Sequence, residues 1–185
     1  ILEITLTSRD AGGKDRIPMC GVPHHSAKNY IETLVSKGHK VAICEQTEDP
    51  KQAKGVVKRE VVQLITPGTI TDGKSIDSKT NHFLAAAEKL PDNELAFVYI
   101  DVSTGEANAQ MLEGGAKECI QQLQSLNIRE VIGTQELQLE MAEMAETTGI
   151  VLSLEQEEMD VQKASVYIEH LPDALKSIAC RLLQY

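Results

Sequence analysis

Apolar residues recur along this chain at alternating positions, at helical spacing and in short unbroken runs, and each pattern predicts an element. Ile1-Leu-Glu-Ile-Thr-Leu-Thr7 alternates weakly, which predicts a strand. It opens without a cap or turn signal, so the chain is expected to begin inside a domain. Arg9 to Arg16 is a polar, glycine-bearing loop, and Pro18, Gly21 and Pro23 are expected to keep the next segment irregular. Tyr30, Ile31, Leu34 and Val35 share one face of a predicted helix, with Ser26 as its N-cap and Gly38 at its close. Val41-Ala-Ile-Cys44 is an unbroken apolar run, expected to be a strand covered on both faces. Val61 to Ile65 predicts a second strand.

After Pro67-Gly68 the chain has little to bury until Thr80. The second half then resumes a strong pattern. His82 to Ala87 predicts a strand, and Leu95 to Val102, apolar at both alternating sets of positions, predicts a central one. Thr104-Gly105 turns the chain. Glu106, Asn108 and Gln110 then alternate with Ala107, Ala109 and Met111, as in an antiparallel strand with one wet face. Helical stripes follow at Ala116, Cys119, Ile120 and Leu123, and at Leu137, Met141, Met144 and Ala145. Strands are predicted at Ile128–Ile132 and Ile150–Leu152. Pro172 suits a first helical turn, and Ala174, Leu175, Ile178, Ala179, Leu182 and Leu183 form the expected buried face of a last helix. The fold class is therefore α/β, in two small domains: residues 1–66, a linker over 67–79, and residues 80–185. A three-strand meander followed by alternating helix and strand suits a mixed sheet in the manner of the ribonuclease H fold.

Composition and charge sharpen this division. Among 185 residues, 42% are apolar, with two Phe, four Tyr and no Trp, so aliphatic side chains and Ala must fill the core. No apolar run approaches the ~18 residues that a membrane-spanning helix needs, and no secretory signal is present. Cys20, Cys44, Cys119 and Cys180 form no C-x-x-C pair and are expected to be reduced and mostly buried, as in a cytosolic protein. The net charge of −10 is unevenly placed. Residues 1–66 carry ten Lys/Arg against eight Asp/Glu, a net of +2, whereas residues 80–185 carry six against eighteen, a net of −12. Phosphates are repelled by a surface of the second kind, so nucleic-acid contact is expected only in the first half.

Candidate chemistry is sparse. Arg9, Lys14 and Arg16 belong to one loop region, and Lys51, Lys54, Lys58 and Arg59 follow Asp49-Pro50. Such side chains hold phosphates through charge and counterion release, although a solvated rim has the same composition. Asp101 on the expected central strand, with Glu106 after the turn, allows an alternative: a metal-dependent nuclease or phosphotransferase of ribonuclease H-like fold. Two-metal chemistry needs several carboxylates around ions about 4 Å apart. The first strand supplies none, and Asp-Val-Ser-Thr-Gly is also a common hairpin end. His24-His25 lacks a second ligand pair at finger-like spacing, so core or cap contacts are expected. Gly12-Gly13-Lys14 lacks the spacing of a phosphate loop.

Several short signatures carry a resemblance: Ile17-Pro-Met-Cys-Gly-Val-Pro-His-His25, Lys40-Val-Ala-Ile-Cys-Glu-Gln46, Glu48-Asp-Pro50, Lys58-Arg-Glu-Val-Val62 and Ile65-Thr-Pro-Gly-Thr69. In this order they resemble the N-terminal region of the MutS family, the DNA mismatch-recognition ATPases. Residues up to about 66 look like the family's mismatch-binding domain. Asn81 to Ala86 and Tyr99 to Glu106 look like its connector domain, which has a ribonuclease H-like fold without nuclease activity. The likeness is faint over 134–171, a stretch short for a connector, and Cys180 to Tyr185 fits the run into the family's central levers.

The resemblance implies DNA mismatch repair and mismatched-DNA binding, with duplexes bearing mismatches or small loops as the ligand and the bacterial cytosol as the location. By position it implies backbone contacts from Arg9, Lys54, Lys58 and Arg59 and from the Pro18-Met19 loop. The family's Phe-x-Glu motif, whose Phe wedges beside the mispaired base, is missing, since the only Phe residues are Phe83 and Phe97. ATPase, lever and clamp domains are missing as well. The chain is therefore expected to be a non-enzymatic fragment, monomeric by itself and without a cofactor or metal. ATP, Mg²⁺ and homodimerisation are implied for the full-length protein, and binding of the partner protein MutL is implied for the connector. A third reading, a pure protein-interaction module, expects MutL binding by residues 80–185 and no DNA affinity.

Overall fold

The computed structural model describes residues 1–10, 16–49, 55–70, 82–154 and 168–185, and the chain divides into two compact units, Ile1–Ile65 and Thr66–Tyr185. Among the described residues no helix is long and apolar enough to cross a membrane.

Among the described residues the first unit contains two separate two-stranded sheets and one α-helix. Strands β1 (Thr7–Arg9) and β2 (Ile17–Met19) pair antiparallel, with Ser8 opposite Pro18. Residues 1–6 are not a strand, because Glu3 adopts φ +54° and only residues 7–9 find a ladder partner. Pro18 does not exclude a strand, since in a two-stranded ribbon its missing N–H lies on the edge that needs no donor. Helix α1 (Ala27–Ser36) follows a 3₁₀ turn at His24–Ser26. Ser26 precedes α1 but does not cap it through its side chain, because its φ/ψ of −98°/−9° is already helical whereas an N-cap residue is extended. Gly38 closes α1 as expected, at φ +84° with its N–H on the Val35 carbonyl at 2.9 Å.

Strands β3 (Val41–Gln46) and β4 (Arg59–Ile65) form the second sheet, with a register shift at Ile43/Cys44. The expectation that β3 is covered on both faces fails. Val41 and Ile43 are half-buried on the side that meets α1, while Ala42 and Cys44 face outward. Val61 and Val62 of β4 are 62% and 56% exposed, and Val35 is the one buried side chain among the described residues of this unit.

Among the described residues the second unit is built on a five-stranded mixed sheet in the order β7-β6-β5-β8-β9. Its strands are β5 (Phe83–Lys89), β6 (Leu95–Asp101), β7 (Ala107–Leu112), β8 (Glu130–Gly133) and β9 (Val151–Leu154). The pairs β5–β6 and β6–β7 are antiparallel, and β5–β8 and β8–β9 are parallel. Alternation along β5 and β6 supplies two cores. Ala85, Ala87, Leu95 and Phe97 face one way and pack with helices α2 (Gly115–Ser125) and α3 (Gln135–Thr148) through Cys119, Leu123, Leu137 and Met141. Leu84, Ala86, Ala96 and Val98 face the other way and meet Leu175, Ile178, Ala179 and Leu182 of helix α4 (Asp173–Gln184). Three consecutive alanines at the sheet centre, all fully buried, let helix and strand approach closely on both sides. Thr134 caps α3 by accepting the Leu137 N–H at 3.3 Å, and Gly149 ends it at φ +71°. On α4, Leu183 and Ala174 lie outward and Cys180 takes a buried place instead.

Residues 66–70 belong to this second unit, although a linker from residue 67 was expected; residues 71–79 of that linker lie outside the described residues. Buried Thr66 receives the Thr69 and Ile70 N–H groups on its carbonyl at 3.2 and 3.1 Å, making a tight turn. At the tip, the Gly68 N–H donates to Glu130 Oε2 at 2.8 Å. Glu130, with no exposed surface, accepts Ser153 Oγ–H and Tyr185 O–H on its other oxygen at 2.5 and 2.7 Å. A buried carboxyl persists only where donors replace its lost water, and three donors do so here. Burial and the adjacent Glu130 push the Tyr185 hydroxyl up to about 12.

Candidate nucleic-acid interface

Six residues were expected to contact a DNA backbone, and the structure describes five of them; Lys54 lies outside the described residues, as do Lys14 and Lys51. Arg9 ends β1 opposite Ile17, and Pro18 and Met19 continue the same ribbon opposite Ser8 and Thr7. All three are exposed. The ribbon is held by Thr7 Oγ1–H on the Met19 carbonyl at 2.9 Å and by Arg16 Nη2 on the Ser8 carbonyl at 3.2 Å. Arg16 thus braces the backbone beside Arg9. Arg9 itself has no carboxylate partner among the described residues.

Lys58 and Arg59 stand at the start of β4, on the other two-stranded sheet. Their backbone is fixed from both sides. The Thr47 N–H donates to the Lys58 carbonyl at 3.1 Å, and the Lys58 N–H donates to Glu48 Oε2 at 3.2 Å. Arg59 is exposed opposite Gln46, and its guanidinium reaches only the nearby Val57 carbonyl, at 3.4 Å. Lys58 is different: its ammonium pairs with Glu60 at 2.6 Å. Residues two apart on a strand share a face, so this pair was legible in the Lys-Arg-Glu order and was missed. Glu60 also stands directly opposite Glu45, a like-charge arrangement that disfavours the hairpin. The structure therefore brings the expected residues into two groups, Arg9-Pro18-Met19 and Lys58-Arg59, with no hydrogen bond or ion pair joining them among the described residues.

His24 and His25 were expected in core or cap contacts, and both are exposed. Cys20 and Cys44 are exposed too, against the expectation of mostly buried thiols; Cys119 and Cys180 are buried.

Asp101 was the centre of the alternative enzymatic reading. It is 3% exposed at the end of β6, and its carboxylate accepts Ser103 N–H at 2.9 Å and Ser103 Oγ–H at 2.6 Å. The turn is closed by Gly105, at φ +78°, donating to the Asp101 carbonyl at 2.7 Å. Burial works against the charged carboxylate. The hydrogen bonds from Ser103, Thr104 and His82 outweigh it and hold the group below its ordinary value of 3.8. The carboxylate is thus occupied in closing a hairpin, and among the described residues no three His, Cys, Asp or Glu side chains gather as a metal site would require. The same unit has a cavity of about 370 Å³ between the sheet and α4. Val98, Ile100, Ala109 and Leu182 make it mainly apolar, which suits neither a phosphate nor a metal.

Residues 1–74 match the family model of MutS domain I. The whole chain aligns with the DNA mismatch repair protein MutS of Lysinibacillus sphaericus, at 64% identity over 185 residues, which is 22% of that protein's length. MutS of Geobacillus thermodenitrificans is 47% identical over 186 aligned positions, covering all of this chain and 20% of that protein. MutS of Bacillus cereus is 48% identical over 171, covering 92% of this chain and 19% of that protein. The chain thus spans about a fifth of the length of the curated relatives it matches.

Proposed function

We propose, for a chain that belongs to the MutS family, that residues 1–65 provide a backbone-contact scaffold for mismatched duplex DNA and that residues 66–185 are a connector of ribonuclease H-like fold. The observation that carries the first part is the pair of exposed guanidiniums, Arg9 and Arg59, each presented on a braced two-stranded sheet without a carboxylate partner among the described residues. Cations so placed release counterions when they meet phosphates, and they position a duplex without reading its sequence. Pro18 and Met19 adjoin Arg9 on its ribbon and Lys58 adjoins Arg59, while Lys54, outside the described residues, joins the proposed surface on the family resemblance alone. The connector reading is supported by the strand order β7-β6-β5-β8-β9, a meander followed by two parallel strands.

In this reading the connector performs no chemistry, and this part of the protein binds neither nucleotide nor metal. ATP and Mg²⁺ serve an ATPase domain in the full-length protein, which acts as a homodimer in the bacterial cytosol in mismatch recognition and repair. The net charge of −12 over residues 80–185 suits contact with protein, and MutL is the proposed partner of that face. Fluorescence titration of the chain with matched and G·T-mismatched duplexes tests the DNA part. Expected is binding at low salt in the ~10⁻⁴–10⁻⁶ M range of non-specific contacts, equal for both duplexes, because neither guanidinium group supplies a wedge. No binding at low salt refutes the scaffold, and a clear mismatch preference assigns it a discriminating role that this reading lacks.

A further inference from the structure

Four segments that are distant in sequence meet at one carboxyl in the second unit. Residues 66–70 begin the unit with a tight turn whose tip is Gly68. Tyr185 immediately follows α4 and continues its hydrogen-bonding, with its N–H on the Arg181 carbonyl at 3.2 Å. Between them stand Glu130 at the start of β8 and Ser153 on β9, neighbouring parallel strands. Glu130 Oε2 holds the turn through the Gly68 N–H, and Oε1 holds the helix end through the Tyr185 hydroxyl and also accepts the Ser153 hydroxyl. The Tyr185 hydroxyl also lies 3.5 Å from Ser153 Oγ and has the Thr66 side chain of the turn as a further hydrogen-bonding partner, so Ser153→Ala, which leaves that direct contact in place, isolates the route through Glu130.

We infer that Glu130 is a positioning residue that makes the 66–70 turn and the C-terminal end of α4 a single coupled element, so that loosening either one loosens the other. The physical ground is the absence of slack. A carboxyl is planar and rigid, so rotating it to follow one donor withdraws its other oxygen from the second. With Glu130 and Ser153 both fully buried, no bulk water reaches them to replace a lost donor. The Gly68 backbone lies close enough to Glu130 that an added Cβ would stand 3.1 Å from that residue's own Cβ, so the turn is seated directly on the glutamate. Coupling of this kind is reciprocal by thermodynamic necessity. It concerns the connector's own rigidity and does not depend on the DNA-contact reading.

Residue-resolved amide hydrogen exchange of the whole chain tests it. Tyr185→Phe removes one hydroxyl and keeps the ring. Expected is a selective rise in exchange at Gly68, Thr69 and Ile70, about threefold to tenfold for the loss of one buried hydrogen bond, with β5 and β6 amides unchanged. Ser153→Ala, read in the same way, is expected to raise exchange both at 68–70 and at the Tyr185 amide, and it decides the question should Tyr185→Phe fail to fold. Unchanged exchange at 68–70 in a folded variant overturns the inference. So does a uniform rise across the unit, because it would mean that the hydroxyl supports global stability only.

Discussion

A Cβ placed on Gly68 would stand 2.5 Å from Leu84 Cδ1, closer than carbon atoms approach without displacement. Leu84 cannot swing aside, because it is 3% exposed and packed within the core beneath α4. The Glu130 carboxyl blocks the other direction at 3.0 Å. Gly68→Ala is therefore expected to lower unfolding stability by about 1–3 kcal/mol, the range for overpacking a filled core. Gly149→Ala should cost less, since nothing stands within 4 Å of its Cβ and only the left-handed φ of +71° is strained. Urea midpoints of the two variants at unchanged m-value measure the difference. A Gly68→Ala midpoint equal to that of the unsubstituted chain would mean that the turn is not seated on Leu84.

Asp101 yields a prediction in pH. Its folded value lies below the ordinary 3.8 because hydrogen bonds from Ser103, Thr104 and His82 outweigh the cost of burial. A depressed carboxyl contributes stability that is present above its unfolded value and lost as pH falls through its folded value. The contribution should thus be complete above about pH 5 and should decline below about pH 4. Asp101→Asn removes the titrating carboxylate. The stability gap between the two proteins should be widest near neutrality and should narrow in acid. Urea unfolding at several pH values reads this directly, and a gap independent of pH would show that the carboxylate charge plays no part in closing the hairpin.

The contrast between the two units explains how far the sequence could be read. In the second unit apolar periodicity and burial coincide along β5 and β6, where helices cover both sheet faces, but part on β7, where Ala107 and Met111 of the expected buried face are exposed and Gln110 of the expected wet face is half-buried. Leu84 and Ala86 alternate with Ala85 and Ala87, and each pair lies in a different core. Meander, crossovers and helices all follow from that pattern. In the first unit apolar character still marked β3 and β4 but did not mark burial, since Val61, Val62 and Leu64 lie exposed on a sheet of two strands. Pro18 was read as a strand breaker because a one-dimensional pattern does not reveal which strand edge needs a donor. The contact between Gly68 and Glu130 spans 62 positions and leaves no local signature. At the candidate interface the cations were legible as charge. Their partners were less so, and Glu60 beside Lys58 is the example.

Thiol chemistry separates the four cysteines. Cys20 and Cys44 are exposed on the first unit, whereas Cys119 and Cys180 are buried in the two cores of the second. Burial, helped by the negative charge of Glu118, pushes the Cys119 thiol up to about 12, so little thiolate is present near neutrality. A chromogenic disulfide reagent at about pH 8 is expected to titrate Cys20 and Cys44 rapidly in the native chain. Cys119 and Cys180 should react only after denaturant is added. Rapid reaction of all four would mean that the second unit opens far more readily than its packing implies.

The arrangement of Lys58 and Glu60 makes the DNA-contact proposal most exposed to refutation. Arg9 and Arg59 have no carboxylate partner among the described residues, so each is expected to release counterions in full on meeting a phosphate. Arg9→Ala and Arg59→Ala should each weaken duplex binding about equally for all sequences, and each should flatten the slope of log affinity against log salt by about 0.9. Lys58→Ala should do less, because the Lys58 ammonium is already neutralised by Glu60 at 2.6 Å. Glu60→Ala should act in the opposite sense. It frees the Lys58 charge, removes a like-charge neighbour from Glu45 and steepens the salt slope while tightening binding. Titrations of these four variants and of the unsubstituted chain at three salt concentrations would read all of this. Binding unchanged in both arginine variants, or a Glu60→Ala variant that binds more weakly, would remove the β4 end from the DNA surface.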